Sequence, residues 1–298
     1  MRTRSARANL LVTLAGLGCL VGSAAGAAGI ARQARSPSHG LIVYWKESPF
    51  PSIWLSRPNG SRTHRILRNR QNAKRARLSR DRRWVAFDGA PPGKAPLSDF
   101  DIQIVRLGGT GRRTLTTSED WDVDAQWSPD GQRLSFTRMA PGGSWPNTEI
   151  WTVRRDGTDL RRLGIGSHAR WSPDGAKIFF GAPTEGSQAD LFVMNADGSN
   201  RQQLLATKKL EGAAGWSPNG KKLLFTRFNG ISGRDANVFV MKADGTHVRK
   251  LAHGIAGSWS PTGSKIIYTK PFELFVMNAD GSHKRKIGLP GIADPDWR

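Results

Sequence analysis

The sequence predicts an all-β fold: a six-bladed β-propeller of four-stranded antiparallel blades, closed by one C-terminal strand plus three N-terminal strands in a shared blade. Three observations predict it. One ten-residue string recurs as WSPDGQRLSF (127–136), WSPDGAKIFF (171–180), WSPNGKKLLF (216–225) and WSPTGSKIIY (259–268). Its tryptophans stand 44, 45 and 43 residues apart, a period that suits propeller blades when the content is strand and turn. A second string alternates with the first. It reads DLFVMNADGSNRQQL at 190–204, with clear copies at 149–163, 237–251 and 273–287 and weaker ones at 52–66 and 101–115.

Each repeat reads as four strands. Strand A is the short run ending at the tryptophan, such as DVDAQW (122–127). Ser-Pro-Asp-Gly then turns the chain, because proline presets φ and glycine accepts positive φ. Strand B is the apolar run that follows, such as AKIFFG (176–181). After a variable loop, strand C (DLFVMN, 190–195) alternates its side chains between two faces. Asp-Gly or Asn-Gly makes the next tight turn. Strand D is short and rich in Arg and Lys, as suits an outer edge that must not pair with other chains. One such sheet cannot bury both faces, whereas blades packed round an axis can. The repeated tryptophan is expected to wedge between neighbouring blades. A degenerate copy, LSRDRRWVAF (78–87), puts Leu78 in the tryptophan's place, and looser packing is expected there.

The two ends of the repeat region are complementary. IADPDWR (292–298) is a strand A ending at Trp297, and HGLIVYWKE (39–47) is a strand B with no A before it. Pairing them supplies one A strand to the B, C and D strands of residues 41–67 and leaves no free edge. The expected organisation is a signal peptide over 1–27, a flexible lead-in over 28–39 and the propeller over 40–298. Arg2, Arg4 and Arg7 precede the apolar run LLVTLAGLGCLV (10–21) and the small residues GSAAGAAG (22–29), the layout of a secretory signal. An extracytoplasmic location follows: secreted, periplasmic or associated with the cell envelope. Cys19 is the single cysteine and lies in that run, so the mature chain is expected to have neither disulfide nor thiol chemistry. Gly16 stands where a lipoprotein signal carries leucine, which argues against lipidation.

The net charge is +21, or about +18 without the first three arginines. Behind an export signal, such a balance points to an envelope protein or an anionic cell-surface polymer rather than to nucleic acid. A nucleic-acid role requires the leader to stay uncleaved inside the cell. No apolar run after the leader is long enough to span a membrane as a helix, and a closed ring needs no second copy, so a monomer is expected.

Strand order places the A–B and C–D turns on one face of the disc and the B–C loops and D–A crossovers on the other. The B–C loops vary, and variable loops on a rigid scaffold usually carry binding. Lys94, Phe100, Trp145, Phe228 and Arg234 lie in or beside them and are the candidate partner-binding residues. Residues just before the strand-A tryptophan approach the axis. Arg75, Arg77, Asp124, His168, Arg170 and Asp294 are the candidate channel-lining groups, with Asp122 and Asp296 beside them. A small-molecule or glycan site is the second reading, with Asp124 and Asp294 as a carboxylate pair for glycoside chemistry. The six histidines show no metal-ligand spacing, and no catalytic residue, metal or cofactor is expected.

The Trp-Ser-Pro-Asp-Gly turn, the Ile/Leu-rich strand after it and the hydrophobic-Met-Asn-Ala-Asp-Gly hairpin resemble the TolB-type propeller repeat over about residues 40–298. The resemblance implies a periplasmic propeller that works with envelope proteins. TolB also carries a separate N-terminal α/β domain, and the segment ahead of residue 40 is too short to supply one, so a TolB-like propeller on its own is expected. The same repeat precedes peptidase domains of the prolyl-oligopeptidase type. Those need a Gly-x-Ser-x-Gly elbow, which this sequence lacks.

Overall fold

The computed structural model describes residues 40–46, 51–67, 72–91, 100–141, 147–185, 187–230, 235–271 and 273–298. Twenty-four strands lie among them, in four sheets of four and one of eight, the last being two four-stranded blades joined by a parallel bridge between Ala189 and Leu210. Blade 1 holds β1 (Ile42–Lys46), β2 (Ser52–Ser56) and β3 (His64–Arg65). Blade 2 holds β4 (Lys74–Leu78), β5 (Trp84–Gly89), β6 (Asp101–Arg106) and β7 (Arg113–Thr114). Blade 3 holds β8 (Trp121–Trp127), β9 (Arg133–Met139), β10 (Thr148–Arg154) and β11 (Arg161–Ile165). Blade 4 holds β12 (Ser167–Trp171), β13 (Lys177–Thr184), β14 (Ser187–Asn195) and β15 (Gln202–Leu205). Blade 5 holds β16 (Leu210–Trp216), β17 (Lys222–Phe228), β18 (Ala236–Lys242) and β19 (Arg249–His253). Blade 6 holds β20 (Ile255–Trp259), β21 (Lys265–Lys270), β22 (Glu273–Asn278) and β23 (Arg285–Pro290), and β24 (Ile292–Trp297) returns to blade 1.

That return closes the ring as the sequence predicts. β24 pairs antiparallel with β1, Ile42 opposite Trp297, in the sheet order β24-β1-β2-β3. The backbone of Leu41 and Arg298 exchanges two further hydrogen bonds, of 2.6 and 2.9 Å. The apolar clusters sit between blades. Ile42, Tyr44 and Trp297 of blade 1 pack with Ile267, Leu274 and Val276 of blade 6. Ala125, Trp127 and Leu134 of blade 3 pack with Ala86, Ile102 and Ile104 of blade 2.

The tryptophans wedge as expected. The Trp127 indole N–H donates to the Arg77 carbonyl at 3.0 Å, and that of Trp216 to the Arg170 carbonyl at 3.1 Å, each bond tying one blade to the blade before it. The indole N–H groups of Trp171 and Trp259 make no such bond, and blade 2 has no tryptophan there to give one, but it is not loose. Leu78 is wholly buried, and its amide donates to Asp296 across the closing interface.

The Ser-Pro-Asp-Gly string is a self-capped turn. Ser128 Oγ accepts the Arg133 amide at 2.9 Å and donates to Asp130, whose carboxylate accepts the Gln132 amide at 3.0 Å. Gly131 takes the left-handed φ of 68° that the turn requires. A third recurring device explains part of the positive charge. Lys46, Arg138, Arg201, Arg227 and Lys270 each lie over the strand-C aromatic of their own blade, at 4.5–4.9 Å from Trp54, Trp151, Phe192, Phe239 and Phe275. Their stems and charged heads cover the ring faces, and the Arg138 and Arg227 guanidiniums pair with Asp122 and Glu211.

Candidate functional site: the central channel

The innermost strands surround a channel of about 1250 Å³. Its shape follows from a backbone irregularity repeated from blade to blade. The strand A–strand B register slips between Lys74 and Arg77, Val123 and Gln126, and Ser167 and Arg170. At the third residue before the tryptophan position, Arg75, Asp124, His168 and Asp294 have φ of 46°, 56°, 56° and 48°. A residue with a Cβ pays about 1–2 kcal/mol to enter this left-handed region. Cross-blade bonds offset the cost. The Asp124 amide donates to Asp88 and the His168 amide to Thr137 Oγ1, both at 3.2 Å and both on the preceding blade. The bulge therefore joins blades through its amide and leaves its side chain facing the axis.

On blades 1–4 Asp294, Arg77, Asp124 and Arg170 form one chain of ion pairs, with Arg75 and Asp88 as a separate pair. Arg77 Nη2 meets both carboxylate oxygens of Asp294 at 2.7 Å and Asp124 Oδ1 at 3.3 Å. Arg170 Nη1 meets Asp124 Oδ2 at 2.9 Å, and Arg75 Nη1 meets Asp88 Oδ2 at 2.7 Å. Burial works against ionisation of Asp124, but Arg170, His168 and Arg77 hold its carboxyl down at about 2. Burial pushes the Asp88 carboxyl up and the His168 imidazole down, so His168 is neutral near pH 7. Arg77 is also buried, and Asp294 and Asp124 more than compensate, raising its pKa. On blades 5 and 6 the same sequence position is Ala213 and Ala256, which stay paired with Phe225 and Tyr268 and do not take the left-handed φ; there the register slips just after them, beside Ala214 and Gly257. The channel thus has a charged wall and a small-residue wall.

This arrangement suits binding better than acid–base chemistry. Asp124 and Asp294 share one nitrogen of Arg77 at 3.3 and 2.7 Å, so their nearest oxygens lie at most 6.0 Å apart, near the spacing of a glycosidase pair. Such a pair needs one member protonated. Here an arginine sits between the two, and Asp124 is held ionised.

The structure gathers the six predicted channel residues round one cavity. Asp122 corrects its expectation: it turns away from the axis into a two-pronged bond with Arg138 at 2.7 and 2.8 Å. Phe100 and Phe228 also correct theirs. They are 8% and 6% exposed, not free loop aromatics. Phe100 packs edge-on against Trp121 with ring centroids 5.4 Å apart, and Phe228 packs with Ala189, Leu210 and Ala236. Lys94, Trp145 and Arg234 lie outside the described residues. Asp88 escaped the sequence reading because it sits near the end of strand B, directly after the apolar run Trp84–Phe87. Arg80 and Arg82, at one mouth of the channel, carried a signal in the degenerate LSRDRRWVAF copy. Among the described residues no group of three or more His, Cys, Asp or Glu is placed to hold a metal ion, and no helix is long and apolar enough to cross a membrane.

No protein-family model matches the chain. A Tol-Pal system protein TolB of Anaeromyxobacter dehalogenans is 30% identical over 120 residues, covering 39% of this chain and 26% of that protein. The matched segment is thus about a quarter of that relative's length. Among solved structures, TolB from Acinetobacter baumannii superimposes with a TM-score of 0.72 at 19% identity, over 87% of this chain and 66% of that one. The nidogen/laminin complex gives a TM-score of 0.66 at 12% identity, over 87% of this chain and 97% of the other. The fold also occurs in an oligogalacturonate lyase in complex with manganese (TM-score 0.54, 15% identity, 80% of this chain, 71% of that one), so the likeness alone does not separate binder from enzyme. Repeat pattern, blade topology and these likenesses together make the chain a TolB-like β-propeller.

Proposed function

We propose that this chain is an exported, non-catalytic interaction module that binds an envelope protein through its loop-rich face. The observation that supports it most is the saturation of the channel carboxylates: Asp124 and Asp294 are committed to Arg77 and Arg170, which favours a scaffold over a reaction centre. The Tol-Pal name of its relative supports an extracytoplasmic partner, and residues 1–27 serve as the export signal, with 28–39 as lead-in. N-terminal sequencing of the secreted chain tests that division. Lys94, Trp145 and Arg234 remain the proposed contact residues, and buried Phe100 and Phe228 leave the set. The test is capture from envelope extract by the wild-type chain and by a Trp145→Ala/Arg234→Ala variant. A partner held by the first and lost by the second supports the reading; equal capture by both rejects that face.

A second reading, an anionic polymer as partner, is favoured by the outer strands. Arg65, Arg113, Lys250 and Arg285 are exposed on four different blades and have no ion-pair partner among the described residues. Polymer binding there loses affinity steeply with salt, and charge reversal at these four positions abolishes it.

A further inference from the structure

The turn of blade 2 breaks the pattern of the others at a place stability does not ask for. Its bonds match those of the Ser-Pro turns. The Ser79 hydroxyl donates to Asp81 at 2.6 Å and accepts the Trp84 amide at 2.9 Å, and the Arg82 amide donates to the Ser79 carbonyl at 2.9 Å. Yet Arg80 stands where blades 3–6 have Pro129, Pro173, Pro218 and Pro261, and Arg82 stands where they have glycine. Arg82 has φ 57°, in the left-handed region that Gly131, Gly175, Gly220 and Gly263 enter at 68°, 75°, 71° and 71°. Glycine does this without strain and arginine does not. An outlier of this kind points to a function for the side chain.

Both guanidiniums are exposed, line the channel at its turn-side mouth, and make no ion pair with a described residue. Arg298, 42% exposed, lines the same cavity. Arg298 is paired with Asp296 at 3.5 Å, and deeper in the channel the charged groups pair with one another, which leaves Arg80 and Arg82 as cations at this mouth without an ion pair to a described residue. Across from the charged wall lie Ala214, Ala256 and Gly257, which leave apolar room. The volume of about 1250 Å³ exceeds what a drug-sized molecule needs.

We propose that the channel is a binding site for a small organic anion, its charged group held at the mouth by Arg80 and Arg82 and its apolar body against the Ala214–Ala256 wall. The site lies on the turn face, opposite the loops proposed to bind a protein, so either proposal can fail alone. It needs no catalytic step.

Two fluorescent probes test it: anilinonaphthalene sulfonate, an apolar body with one anionic group, and uncharged anilinonaphthalene. Arg80→Pro with Arg82→Gly restores the Ser-Pro-Asp-Gly turn of the other blades, so the variant keeps its fold while losing both cations. The expected result is one sulfonate probe bound per chain. The double variant weakens it roughly tenfold, leaves the uncharged probe's affinity unchanged and does not lower the melting temperature. Ala214→Leu, which narrows the apolar wall, weakens both probes. The proposal is overturned if the double variant binds the sulfonate as well as the wild type does, or if Ala214→Leu changes neither affinity.

Discussion

Replacing Asp124 by asparagine removes the one carboxylate that both Arg77 and Arg170 contact. Asp124 is nearly buried and accepts bonds of 2.9, 3.3 and 3.3 Å from the two guanidiniums. Removing one partner of such a pair leaves uncompensated charge and costs about 3 kcal/mol or more near neutral pH. For a domain of this size that is a fall in Tm of roughly 6–12 °C. The effect has a pH signature. The Asp124 carboxyl titrates at about 2 in the folded protein against an ordinary value of 3.8, so it is depressed. Its stabilisation is fully present above the unfolded value and is lost as pH falls through the folded one. The amount is on the order of 2 kcal/mol. Asp88, Asp122 and Glu211, whose carboxyls burial pushes up, act with the opposite sign in the wild type and in the variant alike. The wild-type-minus-Asp124→Asn difference therefore cancels Asp122 and Glu211 and reads Asp124 together with Asp88 and His168, the neighbours that feel its charge. Urea unfolding of both proteins between pH 7 and pH 2 should show a gap that narrows below pH 4. Equal stabilities at pH 7, or a gap independent of pH, would refute the reasoning.

Trp127→Leu, which copies what blade 2 does with Leu78, should cost about 2 kcal/mol by losing the indole bond to Arg77 and some packing, while Trp127→Ala costs about 3–5 kcal/mol. Thermal melts of the two variants read the order directly. Gly254→Ala should be among the most damaging small changes, because its φ is +131° and an added Cβ would sit 2.4 Å from the Thr269 carbonyl oxygen. Gly108→Ala, with nothing within 4 Å, should be nearly silent, and comparable melts for the two would contradict the packing described. Ser128→Ala removes the hub of one turn and should cost about 1 kcal/mol, read as a shift in the urea midpoint.

Much of this fold is legible because a propeller states its instructions several times. The Ser-Pro-Asp-Gly turn, the Asp-Gly hairpin and the period in the forties each fix local geometry, and their agreement fixes the ring. The closing strand was readable because IADPDWR and HGLIVYWKE are halves of one unit. The bulge was not. Asp124 and His168 are types that tolerate positive φ but Arg75 is not, so no one residue type marks the position, and the bonds that hold Asp124 and His168 there come from Asp88 and Thr137 on other blades. Convergence on the axis could be read from spacing, but which charges pair could not, since pairing depends on register slips between strands. Phe100 and Phe228 misled for a related reason. They stand at strand ends beside polar loops, and only the neighbouring strand decides whether such a ring folds inward.

The measurement that tests the central claim most directly is a cross-link between the two ends of the ring. Leu41 and Arg298 exchange backbone bonds of 2.6 and 2.9 Å, which puts their Cα atoms about 5.5 Å apart, within reach of a disulfide. In a chain beginning at residue 28, which has no cysteine of its own, Leu41→Cys with Arg298→Cys should oxidise within one molecule. It should also raise the melting temperature, since the bridge closes almost the whole chain. Thiols that stay reduced, or that bridge only between molecules, would contradict closure of the ring by β1 and β24.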